Sequence, residues 1–166
     1  FLYNEQVMYH QYGGAREMSN DPSMIGDLVY HLHKSIGKRI MVLFTSRKSL
    51  TDTANYIKGK PGGRDLPLFA QVRGASRPGI IKGMHQNPNG ILFGTNSFWE
   101  GVDFPGDLLE ILILVKLPFD VPSEPLIKSY SEFLSRQGAN SFMEYTVPEC
   151  AIRFRQGFGR LIRTTY

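Results

Sequence analysis

The sequence predicts an α/β domain with a largely parallel sheet. Helical and strand-like segments alternate along the 166 residues, which is the pattern of repeated βαβ units. The clearest helix signal runs from Pro22 to Ile36, and an unbroken apolar run from Ile40 to Phe44 follows it. A strand without polar alternation is expected where helices cover both faces of a sheet. The length suits one domain with a core of its own.

The first predicted helix has capping residues at both ends. Asp21 can cap its start, Pro22 fits its first turn, and Gly37 suits its end. Apolar residues recur inside it at helical spacing and should form a buried stripe. They are Ile25, Leu28, Val29, Leu32 and Ile36.

The remaining elements follow in the same alternation. After the strand from Ile40 to Phe44, a helix should end near Gly59 with Leu50, Ala54 and Ile57 facing inward. Turn residues such as Asn87-Pro88-Asn89-Gly90 separate the later segments. These segments are strands over Leu66–Val72, Ile91–Phe93 and Ile111–Leu117, a short helix over Arg77–Met84, a helix marked by Leu126 to Leu134, and a last helix from near Pro148.

Composition narrows the class of protein. The single cysteine, Cys150, excludes a disulfide framework or a four-thiolate cluster within this chain and favours a reducing, cytoplasmic setting. The longest apolar run, Ile111 to Val115, is too short to cross a membrane. A net charge of +4 suits a polyanionic partner, although many proteins with such an excess bind no nucleic acid. The start without methionine and the stop at Tyr166 are expected of a piece of a longer protein.

The most informative segment lies near the end of the chain. Four polar residues fall on one helical face at about 100° per residue, and they are Arg153, Gln156, Arg160 and Arg163. Crowded guanidiniums repel one another unless an anion lies between them. Gly157 and Gly159 each cost a helix about 1 kcal/mol relative to alanine, which makes sense where a ligand approaches the backbone closely. Charge alone would favour a solvated basic face, and the glycines and the spacing favour an anion site.

This segment resembles motif VI of superfamily 2 helicases, Q-x-x-G-R-x-x-R, over Gln156 to Arg163. The resemblance implies that Arg160 and Arg163 are arginine fingers that reach the γ-phosphate of ATP bound by a first RecA-like domain. An added arginine stabilises the charge that develops on the transferring phosphoryl group. The resemblance also implies that Gln156 couples the nucleotide site to motion.

A second segment, Phe93 to Gly106, follows a predicted buried strand, where ligands bind in open α/β sheets. Composition alone does not separate it from a surface loop with a packed Trp99. Its sequence, S-F-W-E-G-V-D-F-P-G, is similar to motif V of DinG-like helicases. The resemblance implies contacts to the DNA backbone from Gly94, Thr95, Asn96 and Ser97, and contacts to the nucleotide from Glu100, Gly101 and Asp103, with Asp103 at the ribose. Trp99 is interpreted as structural.

A third segment, Val42 to Arg47, resembles motif IV, a strand that ends in Thr-Ser. Thr45 and Ser46 offer hydroxyl and N–H groups to a DNA phosphate at a helix start, and Arg47 adds charge. Ser46 can also simply cap that helix, and both roles are compatible. Arg77 is a further candidate for DNA contact.

The remaining candidate residues give weaker evidence of function. Lys82 is interpreted as a solvated charge, and Cys150 as a packed thiol. His31 and His33 point in different directions on their helix, which disfavours a metal site. The segment from Leu114 to Phe119 with Pro122 is also typical of the DinG branch and should route the chain into the last helices.

Together these resemblances predict a RecA-like, three-layer α/β/α domain over residues 1–166, the second motor domain of an ATP-dependent DNA helicase of the DinG/XPD-like group. The chain has no G-x-x-x-x-G-K-[ST] loop. The resemblance implies that ATP and Mg²⁺ are bound mainly by the first RecA-like domain, so the fragment alone should be inactive. The expected partners are single-stranded DNA and that first domain, with no membrane. Two alternatives remain: the motor of an exonuclease fusion with little unwinding, and a nucleic-acid-binding module with an inactive motor.

Overall fold

Helices and strands alternate along the part of the chain that the computed structural model describes, which is residues 8, 10–11, 18–95, 98 and 109–158. This confirms the predicted α/β class. The elements of this part are α1 (Pro22–Ile36), β1 (Ile40–Leu43), α2 (Arg47–Gly59), β2 (Leu68–Ala70), α3 (Arg77–Gln86), β3 (Ile91–Gly94), β4 (Ile111–Leu114), α4 (Pro125–Arg136), a π-helix (Phe142–Thr146) and α5 (Val147–Phe158).

The described strands form one parallel sheet in the order β2-β3-β1-β4. Ile40 of β1 lies opposite Ile91 of β3 on one side and Ile111 of β4 on the other. β1 and β3 are buried along their whole length, in keeping with their unbroken apolar sequences. Because the strands are parallel, their carboxyl ends all meet at one edge of the sheet.

Side chains of β1 alternate between two separate parts of the core, as the pleat of a strand requires. Ile40, Val42 and Phe44 pack on the face covered by α1 and α2. Met41 and Leu43 pack on the opposite face, which α3 covers through Ile80 and Met84. The sheet therefore lies between two helical layers, which confirms the three-layer arrangement predicted for a RecA-like domain.

The ends of α1 agree with the sequence prediction. The Asp21 carboxylate accepts a hydrogen bond from the Ser23 N–H at 2.8 Å. Gly37 closes the helix with φ 67°, a left-handed conformation that glycine adopts without strain, and donates its N–H to the His33 carbonyl at 3.0 Å.

The predicted buried stripe of α1 is wrong at Ile36, which is 49% exposed. The buried row runs instead through Ile25, Val29 and His33, each four residues after the last. Such rows are inclined to the helix axis, so the row enters the last turn at His33, and Ile36 lies to one side of it, away from the core. Burial lowers the pKa of the His33 imidazole, which favours its neutral form in the core.

Two predicted strands are longer than the strands of the structure. β2 covers Leu68–Ala70, against the predicted Leu66–Val72, and β4 covers Ile111–Leu114, against Ile111–Leu117. Each pairs with one neighbour among the described strands, so fewer hydrogen bonds hold its ends. Across the described ranges, no helix combines the length and the apolar character that crossing a bilayer requires.

Candidate functional site

The segments after β1 and β3 lie side by side at the carboxyl edge of the sheet. The Phe44 N–H donates a hydrogen bond to the Gly94 carbonyl at 2.9 Å, which extends the pairing of the two strands by one residue. Thr45 to Arg47 and Gly94-Thr95 therefore start from neighbouring positions. The sequence predicts DNA contacts from both segments, and the fold brings them together.

The segment after β1 presents an exposed helix start. Ser46 caps α2, and its hydroxyl oxygen accepts a hydrogen bond from the Ser49 N–H at 3.4 Å, which confirms the predicted capping role. Thr45, Ser46 and Arg47 are exposed, and the first turn of α2 carries no acidic residue. Free N–H groups, the helix dipole and an arginine together favour an anion at this point. The DNA contact itself stays a prediction.

Thr95, at the segment after β3, is held by a residue that sequence reasoning missed. Its N–H and its hydroxyl both donate to Oε1 of Gln71, at 3.0 and 2.8 Å. Gln71 is fixed in turn, because its own N–H donates to the Phe93 carbonyl at 2.9 Å. The Thr95 hydroxyl hydrogen is thus already engaged, and Thr95 can donate it to a phosphate only by leaving Gln71.

Arg77 and Gly94 pack against the same aromatic ring. The Arg77 guanidinium lies 5.3 Å from the centre of the Phe98 ring, within range of a cation–π interaction. A Cβ on Gly94 would come within 2.9 Å of the Phe98 Cβ, so the close approach of this buried ring requires a glycine. Arg77 is exposed at the start of α3, and Lys82, five residues further along the same helix, is exposed as well. The DNA contacts of Arg77 and Gly94 remain predictions, and the exposure of Lys82 agrees with its interpretation as a solvated charge.

On α5, the structure describes Arg153 and Gln156 of the predicted polar face. Gln156 is exposed. Arg153 forms an ion pair with Asp120, which lies in the loop after β4. A carboxylate of the chain itself therefore balances this guanidinium, and this ion pair was not predicted from the sequence. Several predicted site residues and Trp99 lie outside the described residues, and these site residues are Asn96, Ser97, Glu100, Gly101, Asp103, Arg160 and Arg163.

Asp120 lies close enough to Cys150 and Tyr145 to affect the pKa of each. Burial raises the pKa of the Cys150 thiol, and the Asp120 carboxylate adds to this effect while Arg153 opposes it. Cys150 is buried, as predicted for a packed thiol, and a raised pKa leaves it protonated and a weak nucleophile. Burial, and then the Asp120 carboxylate, also raise the pKa of Tyr145. The loop after β4 does lead into the last helices, and Asp120 attaches it to α5.

Comparison with known proteins identifies the class. Residues 29–166 match the family described as the helicase C-terminal domain. The match covers most of the chain, and the parallel three-layer fold agrees with it. The chain belongs to the helicase C-terminal domain family.

Within that family the chain is a DinG-like domain. It is 36% identical to the 3'-5' exonuclease DinG of Bacillus subtilis over 99% of this chain and 18% of that protein. It is 34% identical to the ATP-dependent DNA helicase YoaA of Haemophilus influenzae, over 98% of this chain and 25% of that protein. The identity with the ATP-dependent DNA helicase DinG of Photobacterium profundum is 51%, over 74% of this chain and 18% of that protein. The chain thus spans a quarter or less of the length of these relatives.

Proposed function

We propose that this chain, residues 1–166, is the second RecA-like motor domain of an ATP-dependent DNA helicase or translocase. The observation that carries the proposal is the meeting of Thr45–Arg47 and Gly94-Thr95 at one edge of a parallel sheet. Ligands bind at this edge in open α/β folds. Two of the relatives are named ATP-dependent DNA helicases, which supports ATP use and DNA binding here.

In this proposal the nucleotide is shared between two domains. The first RecA-like domain of the same protein holds the phosphates of ATP and the Mg²⁺ ion, since this chain has no G-x-x-x-x-G-K-[ST] loop. The second domain adds Arg160 and Arg163 as arginine fingers, with Gln156, Glu100, Gly101 and Asp103 on the nucleotide side. The exposed position of Gln156 on α5 is compatible with such a contact.

The DNA groove is proposed to follow the start of α2 and the segment after β3. Hydroxyl groups, N–H groups and arginines bind phosphate and sugar, which position a strand without reading its bases. The residues proposed to line the groove are Thr45, Ser46, Arg47, Arg77, Gly94, Thr95, Asn96 and Ser97. Binding should therefore depend on salt and vary little with base sequence.

The isolated chain is expected to bind ATP weakly and to hydrolyse none above background. A single motor domain lacks half of the groups that hold the triphosphate and its metal ion. Steady-state phosphate release with magnesium and single-stranded DNA measures this directly. Robust magnesium-dependent turnover by residues 1–166 alone would contradict the division between two domains.

Replacing Thr45 and Ser46 together by alanine should weaken single-stranded DNA binding by the longer protein about tenfold, to a similar degree for different base compositions. Two phosphate contacts of about 0.5–1.5 kcal/mol each are lost. The change also removes the cap of α2, which costs about 1 kcal/mol of stability, whereas glycine at a cap costs only a few tenths. Thr45→Ala with Ser46→Gly therefore removes the same hydroxyl groups with little loss of the cap. Weaker binding to one base composition only would argue against backbone contacts.

A second candidate function rests on one relative, the 3'-5' exonuclease DinG of Bacillus subtilis. In that case the motor serves a nuclease in the same protein and unwinds little. Nucleotide release and strand separation by the longer protein, measured on one labelled duplex, separate the two functions. ATP hydrolysis with and without single-stranded DNA tests the remaining alternative, a binding module with an inactive motor.

A further inference from the structure

The buried carboxylate of Asp120, in the loop after β4, forms an ion pair with α5, the helix that contains Gln156 at the start of motif VI. The Asp120 side chain is 9% exposed and pairs with Arg153 of α5, whose side chain is 27% exposed. The two residues are 33 positions apart in the sequence. The pair therefore joins two segments whose relative position the local backbone does not determine.

Stability alone does not account for such a pair. A buried carboxylate is unfavourable unless hydrogen bonds and an opposite charge compensate it. The second oxygen of Asp120, Oδ2, is shielded from solvent and has no hydrogen-bond partner among the described residues. The negative charge of Asp120 is therefore balanced mainly by Arg153. Apolar residues of similar size often serve stability as well as a buried ion pair does, whereas an ion pair selects one geometry.

Few side chains of α5 are buried among those that the structure describes. Of residues 147–156, Cys150 is the one that is buried, and Ile152 is 51% exposed. The helix is preceded by the π-helix Phe142–Thr146, a conformation that is rare and is found frequently at functional sites. With such limited apolar anchoring, the Asp120–Arg153 pair has a large share in setting the orientation of α5.

Arg153 shares a helical face with Gln156, the first residue of motif VI. Gln156 follows it by one turn, at a spacing that places both side chains on the same side of α5. A rotation of α5 that broke the pair would carry Gln156 with it. Misplacing a catalytic group by about 1 Å can lower turnover about a hundredfold.

From this geometry we infer that Asp120 is a positioning residue for motif VI: through Arg153 it holds α5 in the orientation that presents the motif to the nucleotide. The inference rests on the proposed function, in which Arg160 and Arg163 act on the γ-phosphate. Asp120 touches no reacting atom in this scheme. Its effect is on the placement of the arginines and hence on the rate of phosphoryl transfer.

The test is the Asp120→Asn variant of the longer protein, with DNA-stimulated ATP hydrolysis measured on poly(dT) single strands. We expect kcat to fall about tenfold to a hundredfold, because the neutral amide holds the guanidinium less firmly than the carboxylate does, while KM for ATP stays within about threefold. The matched control is Asp27→Asn. Asp27 joins α1 to α2 through Lys60 at 2.7 Å and Tyr56 at 3.0 Å. Its loss should lower the melting temperature and leave kcat unchanged.

If the single variant fails to fold, the double variant Asp120→Asn with Arg153→Gln leaves neither charge buried without a partner. It should fold, and its kcat should stay at least tenfold below wild type. A folded single or double variant with wild-type kcat, measured well below its melting temperature, overturns the inference and leaves only a structural pair. If the proposed function itself were wrong, the Arg163→Ala variant would also hydrolyse ATP at the wild-type rate, and this result distinguishes the two failures.

Discussion

Replacing Arg163 by alanine in the longer protein is expected to lower DNA-stimulated ATP turnover about a thousandfold, with ATP binding largely intact. An arginine finger acts on charge that develops during phosphoryl transfer, so its removal lowers kcat more than ground-state affinity. Fingers in other phosphoryl-transfer enzymes contribute factors of about a thousand or more. The residue is chosen for its motif VI spacing from Gln156 and Arg160.

Arg163→Lys should restore little of this turnover. Lysine keeps the positive charge and loses the planar fork that binds two phosphate oxygens at once. Arg155 offers a matched control on the same segment, because it is exposed on α5 and lies away from the face of Arg153 and Gln156. Arg155→Ala should leave turnover near wild type.

Turnover, nucleotide affinity and melting temperature of these variants are best measured together. A change on the polar face that the sequence predicts for this segment should leave the fold intact, so a loss of rate with an unchanged melting temperature assigns the effect to the reaction. A folded Arg163→Ala protein with wild-type turnover would show that Arg163 is a surface charge. The arginine-finger assignment would then be wrong.

The sequence predicted the order and type of the elements well, because local signals specify them. Asp21 and Gly37 mark the ends of α1, and the apolar run from Ile40 gives a strand buried on both faces. The sequence motifs around Gln156 and Gly94 identified the right family, because short segments of a helicase domain have characteristic sequences.

Contacts between distant segments were not predictable in this way. Gln71 meets Thr95 across 24 positions and Asp120 meets Arg153 across 33. Each partner alone is an ordinary polar residue in a loop or on a helix, and only the parallel order of the strands and the path of the loop after β4 bring them together. Ile36 shows the same limit, since periodicity places it on the stripe and the inclined row of buried residues leaves it outside.

Two isoleucines with the same predicted environment give a direct test of burial. Ile57, near the end of α2, and Ile36, at the end of α1, were both expected to face the core. Ile57 is 0% exposed and belongs to the core cluster between the helices and the sheet, whereas Ile36 is 49% exposed. The side chain removed is the same in both cases, so a difference in stability reports on the surroundings.

Ile57→Ala is expected to lower the free energy of unfolding of the domain by about 2–5 kcal/mol, from the lost transfer energy and the cavity left behind. For a domain of this size that corresponds to a fall of about 4–20 °C in melting temperature. Ile36→Ala should cost within about 1 kcal/mol, because its side chain already contacts water and alanine is a good helix former. Chemical denaturation of both variants, with equal slopes against denaturant, measures the difference. Equal losses at the two positions would mean that Ile36 is buried in the folded domain and that α1 packs through the stripe the sequence predicted.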